Sequence, residues 1–248
     1  MFNEFKIILH NGKQFIPQPK TASVSDVFRG RPIISPIATN DLELVAICPS
    51  GAIMANPIRI DLGRCLFCGE CALRFPEKIC FTNEVHLSAN SRDGLIVTQG
   101  QDRPLALDQT LIQPFVKKLF GHSLKLRQVS AGGDNSAELE LNACSNANFD
   151  MGRYGIEFVA SPRHADGILI TGPITNNMAQ PLEMAYDAVP DPKLLILCGT
   201  DAISGGMFQG SDALNRSFLN GKKVDLYIAG NPPHPLTVIN GLLDLITP

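Results

Sequence analysis

Residues 167–198 read GILITGPITNNMAQPLEMAYDAVPDPKLLILC, and they decide the fold of the second half of this chain. Gly167–Thr171 and Lys193–Cys198 are short apolar runs of strand length, and Asn177–Ala188 between them carries a helical pattern. A strand, a helix and a second strand form a βαβ unit, which implies parallel pairing. The same alternation continues outward. Further strands are expected at Leu124–Val129, Ile156–Ala160 and Val224–Ile228, and a second helix at Leu236–Ile246. The expected fold class is therefore an α/β domain with a mostly parallel sheet. Residues 108–121 (DQTLIQPFVKKLFG) have one apolar face made by Leu111, Ile112, Phe115, Val116, Leu119 and Phe120, with Asp108 as an N-cap. This pattern predicts a helix linking the α/β domain to what precedes it. Residues 1–47 show Pro and Ser turns and no long helical pattern.

The 248 residues suit one large domain or two modest ones, and a hydrophobic content of 44% supports a packed core. A net charge of −3 offers no basic field for phosphates, which argues against nucleic acid as a partner. The longest apolar runs are too short to span a bilayer. MFNEFKIILHNGK at the N-terminus lacks the apolar core and cleavage site of a secretory signal. A cytoplasmic chain that reaches a membrane only through partners is expected.

Five of the seven cysteines lie in residues 48–80. The run Cys65-Leu-Phe-Cys68-Gly-Glu-Cys71-Ala-Leu-Arg-Phe75-Pro76 has the C-x2-C-x2-C spacing of bacterial ferredoxins, but its fourth position is Phe75. Upstream stands an isolated Cys48-Pro49. In two-cluster ferredoxins the fourth cysteine of each run serves the other cluster. If Cys48 ends a first run, that run's other positions fall on Ala38, Asp41 and Leu44. The missing ligands (Ala38, Asp41, Leu44, Phe75) then belong to one cluster, and Cys48, Cys65, Cys68 and Cys71 to the other. One site is lost whole and one kept whole. The cofactor expected is one [4Fe–4S] cluster on these four cysteines, because soft thiolates suit iron in tetrahedral geometry. Gly51 and Gly69 would let backbone N–H groups approach it. A zinc site on the same thiolates is the rival. Cys80, in KICFTN, is expected as a small core residue, and Cys144 and Cys198 as buried thiols.

With FRGRPIISP, CPSGAI and CLFCGEC, residues 28–80 resemble the ferredoxin-type subunit of formate-hydrogenlyase-type membrane-bound [NiFe] hydrogenases. Residues 124–248 are similar to the small subunit of those complexes, the family of the complex I B-type subunit. SAGGDNSAELELNA, RYGIEFVASPRHADGILITGPITNNM, DPKLLILCGTDAISGGMF and VDLYIAGNPPHPLTVINGLLDL carry that likeness. The resemblance implies a fusion: an α+β ferredoxin-like domain over 1–105, a linker helix over 106–123 and the small-subunit-like α/β domain over 124–248. The family's four second-half cysteine ligands fall here on Asp134, Ala137, Asp201 and Asn231, so that cluster is expected to be absent. Oxygen atoms of Asp134, Asp201 and Asn231 holding a hard cation, or simply filling the space, are the two alternatives. CGTDAISGG lacks both GxGxxG and a P-loop Lys, which weighs against a phosphate loop. His164, beside Arg163, could tune a nearby redox or proton site, but with that cluster absent a structural or interface role is expected.

The resemblance further implies a hydrogenase large-subunit-like partner, membrane subunits, and a peripheral position on the inner face of the membrane. No Ser/His/Asp constellation suggests catalysis by the chain itself. The expected role is electron transfer within an oxidoreductase complex, and the alternative is a structural or assembly subunit with no relay role.

Overall fold

The computed structural model describes residues 2–12 and 14–247. Met1 and Lys13 of the N-terminal stretch lie outside the described residues. The first half is built of short elements: α1 (Phe2–Asn11), β1 (Pro32–Ile34), α2 (Asp41–Ala46), β2 (Ile53–Met54), β3 (Arg59–Asp61), α3 (Glu70–Arg74), β4 (Ile79–Phe81), β5 (Ser88–Ala89), β6 (Ile96–Thr98) and α4 (Pro114–Phe120). Strand β1 pairs antiparallel with β4, and β2, β3 and β6 form an antiparallel three-stranded sheet.

The second half follows the expected alternation: β7 (Leu124–Ser130), α5 (Ser136–Cys144), β8 (Ile156–Phe158), β9 (Gly167–Thr171), α6 (Asn176–Asp187), β10 (Leu194–Cys198), α7 (Thr200–Ser204), β11 (Leu226–Ile228) and α8 (Pro235–Ile246). These strands join one six-stranded sheet in the order β5-β11-β10-β9-β7-β8. Five are parallel, and β5, from the first half, closes one edge antiparallel to β11. The order around β7 is that of a doubly wound sheet whose direction of winding reverses between β7 and β9. Loops at the carboxyl ends of strands beside such a reversal are where α/β folds build sites.

Every residue of β9 and β10 is buried, as central parallel strands covered on both faces must be. Leu169, Ile196 and Cys198 face one core with residues of α4, α5 and α8. Ile168, Ile170, Leu195 and Leu197 face the other, which is continuous with Ile58, Ile60, Leu62 and Leu87 of the first half. The two halves therefore share a core. Ile203 of α7 lies at the seam: a Cβ added to Gly63 would come within 2.6 Å of its Cγ2. Helix α8 is buried nearly all round, because the N-terminal arm crosses it. Asn240 Nδ2 donates to Pro19 O at 3.1 Å, and Lys20 pairs with Asp244 at 2.7 Å.

Two local expectations are corrected. The helix expected at 108–121 begins only at Pro114, since proline lacks an N–H and drives Gln113 into extended backbone. Asp108 instead closes a turn, accepting from Thr110 N at 2.9 Å and Thr110 Oγ1 at 2.6 Å. The start of the chain, read as lacking a long helical pattern, holds the ten-residue α1, with Phe5, Ile8 and Leu9 exposed. Among the described residues no helix is long and apolar enough to cross a membrane.

Truncating Ile203 to Ala should cost about 2–5 kcal/mol, the range for a buried Ile losing its side chain. Urea unfolding followed by circular dichroism will measure it. One cooperative transition is expected, and two separate transitions would contradict a shared core. A pH effect arises at His234, whose Nδ1 accepts from Leu236 N at 3.1 Å to cap α8, and whose pKa is lowered by burial. On acidification the unfolded imidazole takes up its proton first, so stability should fall as pH drops below about 6.5. His234→Asn, which keeps a capping acceptor without that titration, should flatten the dependence.

Candidate metal centre

Cys48 follows the end of α2, in a turn closed by Gly51 N donating to Cys48 O at 3.2 Å, with Gly51 at φ +61°. The turn aims Ala52 N at Cys48 Sγ, 3.2 Å away. Cys65 leaves β3 through a turn built on Asp61, whose backbone carbonyl accepts from Arg64 N at 3.0 Å and Cys65 N at 2.9 Å. The Asp61 carboxylate is buried. It accepts Gly63 N at 2.9 Å and two bonds from Arg92, at 2.6 and 2.5 Å.

From Cys65 the chain folds back on itself. Phe67 N donates to Cys65 Sγ at 3.3 Å, and Phe67 has φ +52°, a strained value for a residue with a side chain. Gly69, at φ +82°, opens α3, which carries Cys71. The Phe67 ring packs against Phe81 with centroids 6.3 Å apart.

All four sulfur-bearing residues line one cavity, with Ile47, Ile53, Ile60 and Phe81 among its apolar walls. Cys65 and Cys71 are buried, Cys48 is half-buried and Cys68 is exposed. Burial pushes the Cys65 thiol up to about 12, with Cys71, Cys48 and Cys68 adding to the rise. Burial likewise pushes Cys71 up to about 11, with Cys68 and Cys48 contributing. Such thiols stay protonated at neutral pH unless a metal draws the proton off.

The donor set therefore fits an iron–sulfur cluster: four soft ligands, apolar walls, and N–H groups directed at two of the sulfurs. Among the described residues no group of three or more His, Cys, Asp or Glu side chains is placed to hold a metal ion.

The other cysteines lie outside this cavity. Cys80 is exposed, contrary to its reading as a core residue. In the β1–β4 pair it stands opposite Ile33, and alternation turns it outward between Ile79 and Phe81. Cys144 and Cys198 are buried, as expected, and Cys144 Sγ donates to Glu140 O at 3.3 Å.

Asp134, Ala137, Asp201 and Asn231 lie at the carboxyl ends of the strands or in the helices just beyond. Asp134 accepts from Ser136 Oγ at 2.6 Å and Ser136 N at 3.0 Å, which hold its carboxyl below the usual range. Asp201 is shifted the other way, first by burial and then by the charge of Asp134, with Arg216 opposing. Its carboxylate rests on Gly206, where an added Cβ would meet Oδ1 at 1.8 Å. The fold thus brings Asp134 and Asp201 together. Asn231 lines a separate cleft with Phe67 and His234, and Ala137 lies within α5. His164 precedes β9, at the opposite end of the strands.

Thr200, wholly buried beside Asp201, connects the two regions. Its Oγ1 lies 2.8 Å from Cys65 O and donates to it. Arg216 braces the same loop, donating to Ala202 O at 2.7 Å, Pro173 O at 2.9 Å and Ile203 O at 3.0 Å. Sequence reading missed Asp61, Arg92, Thr200 and Arg216. Arg92 reaches Asp61 across 31 residues, and Thr200 and Arg216 find partners 13 to 135 residues away, so no spacing announces them.

The chain is similar to subunits of membrane oxidoreductase complexes. A probable membrane-bound hydrogenase subunit of Pyrococcus furiosus is 33% identical over 126 residues, covering 51% of this chain and 75% of the relative. Formate hydrogenlyase subunit 7 of Escherichia coli is 35% identical over 147 residues, covering 56% of this chain and 55% of the relative. An NADH-quinone oxidoreductase subunit of Bacteroides thetaiotaomicron is 42% identical over 108 residues, covering 43% of this chain and 55% of the relative. Residues 135–245 match the family model described as NADH ubiquinone oxidoreductase, 20 kDa subunit. With its loops at the carboxyl ends of a mostly parallel sheet and these relatives, the chain belongs to the NADH ubiquinone oxidoreductase 20 kDa subunit family.

Proposed function

We propose that this chain is an electron-transfer subunit of a hydrogenase-related or complex-I-related membrane-associated oxidoreductase complex, holding one [4Fe–4S] cluster on Cys48, Cys65, Cys68 and Cys71. The observation that carries the reading is the meeting of four cysteines, from segments 17 residues apart, around one apolar cavity. In this reading residues 1–105 are the ferredoxin-like part, 106–123 the link and 124–248 the small-subunit-like part. The second-half ligand positions have become Asp134, Ala137, Asp201 and Asn231, so that part docks subunits and carries no cluster. Its partners are a large-subunit-like protein and membrane subunits, and it sits peripherally on the inner face of the membrane.

When bound, the cluster supplies reversible one-electron storage at low potential. The chain's own residues do the rest. Cys65 and Cys71 exclude water from the inner side, and Ala52 N and Phe67 N donate to ligand sulfurs, spreading negative charge. Thr200 fixes the Cys65 backbone from the second half. Cys68 is the exposed corner, which supports electron exchange with a partner on that side.

Protein purified without oxygen should contain about four irons and matching acid-labile sulfide per chain, with a single [4Fe–4S] EPR signal after dithionite. Zinc without iron would overturn the reading. A cluster with no redox centre of a partner near it in the assembled complex would favour a structural role instead. Serine at Cys48, Cys65 or Cys71 should each abolish most iron binding, whereas serine at Cys80, Cys144 or Cys198 should leave the iron content unchanged. Iron loss in the second set would move the ligand assignment.

A further inference from the structure

Arg29 lies 38 residues before the loop it serves. Its Nε donates to Phe67 O at 2.5 Å, the carbonyl of the residue held at φ +52°. On the far side of Cys68, a Cβ added to Gly69 would lie 3.1 Å from Arg29 Cδ and 3.7 Å from Nη1. The side chain therefore touches both neighbours of Cys68, and it lines the groove into which Cys68 opens. Cys68 is the exposed member of the four. Nor is this cation neutralised. Two residues on, Arg31 is held by Glu84 at 2.8 Å and Asp102 at 2.7 Å, but among the described residues no carboxylate lies within ion-pair distance of Arg29. Glu70 lines the same groove without pairing with it.

We propose that Arg29 is a positioning residue of the cysteine site, pinning the strained Cys65–Cys68 loop and setting a fixed positive charge at the cluster's exposed corner. This rests on the cluster reading above. A nearby cation stabilises the more negative, reduced state and so raises the reduction potential. Because Arg29 is itself exposed, solvent screens the effect, and a shift of potential is expected rather than loss of the centre.

The test uses the full chain, purified without oxygen, as wild type, Arg29→Gln and Arg29→Lys. Iron and sulfide are counted and the midpoint potential is read by EPR during redox titration. All three should load the cluster, with Arg29→Gln at a more negative potential than wild type and Arg29→Lys closer to wild type. Full loading with an unchanged potential in both variants overturns the role of Arg29 and leaves the cluster reading standing. A wild type without a cluster overturns both. Should Arg29→Gln fail to fold or load, Arg29→His read below and above the imidazole pKa of about 6.5 supplies the same comparison within one protein. Its potential should fall with rising pH more than that of wild type, and an equal dependence overturns the proposal.

Discussion

The buried carboxylate of Asp61 is the constraint on which the cysteine site depends. It takes two bonds from Arg92 and one from Gly63 N, while its backbone carbonyl receives Arg64 N and Cys65 N. Cys65 is thereby fixed before the C-x2-C-x2-C loop begins. Removing one partner of a buried, hydrogen-bonded ion pair leaves an uncompensated charge, which is why such pairs are costly to break. The Thr200 hydroxyl then ties Cys65 O to the loop after β10. The site is thus held from both halves, and the shared core behind it makes the halves one packing unit.

The second region follows from strand topology. Parallel strands deliver their loops to one edge, and there the chain crowds glycines. Gly172 and Gly133 approach so closely that a Cβ on Gly172 would lie 2.6 Å from Gly133 N. This close backbone packing lies beside Asp134 and Asp201, and an added Cβ on Gly133 would lie 3.7 Å from Asp201 Oδ2. Arg216 donates to Asp201 O, Ala202 O and Ile203 O after β10 and to Pro173 O after β9, tying the two segments together.

Much of this architecture was legible because it is periodic. The all-apolar runs Gly167–Thr171 and Leu194–Cys198 are buried parallel strands, and the helical patterns between and after them became α6 and α8 with boundaries shifted by a residue. The ferredoxin-type spacing groups Cys48, Cys65, Cys68 and Cys71, and these four residues line one cavity of the fold. Other features were not. The apolar face read across 108–121 continues through Pro114, but the backbone cannot, so only Pro114–Phe120 is helical. Cys80 has apolar neighbours on both sides, and only its pairing with β1 decides which face it takes. Phe5, Ile7, Ile8 and Leu9 of α1 are exposed, so packing against the described chain does not explain them. Thr200 and Arg92 act through partners distant in sequence, which local patterns do not encode.

The central claim is that one half of this chain retains a cluster and the other has lost its own. Native mass spectrometry of the anaerobically purified chain addresses it directly. The account predicts a single mass increment equal to one Fe4S4 core, removed by serine at Cys65. Two such increments, or the increment of a single zinc ion, would contradict it.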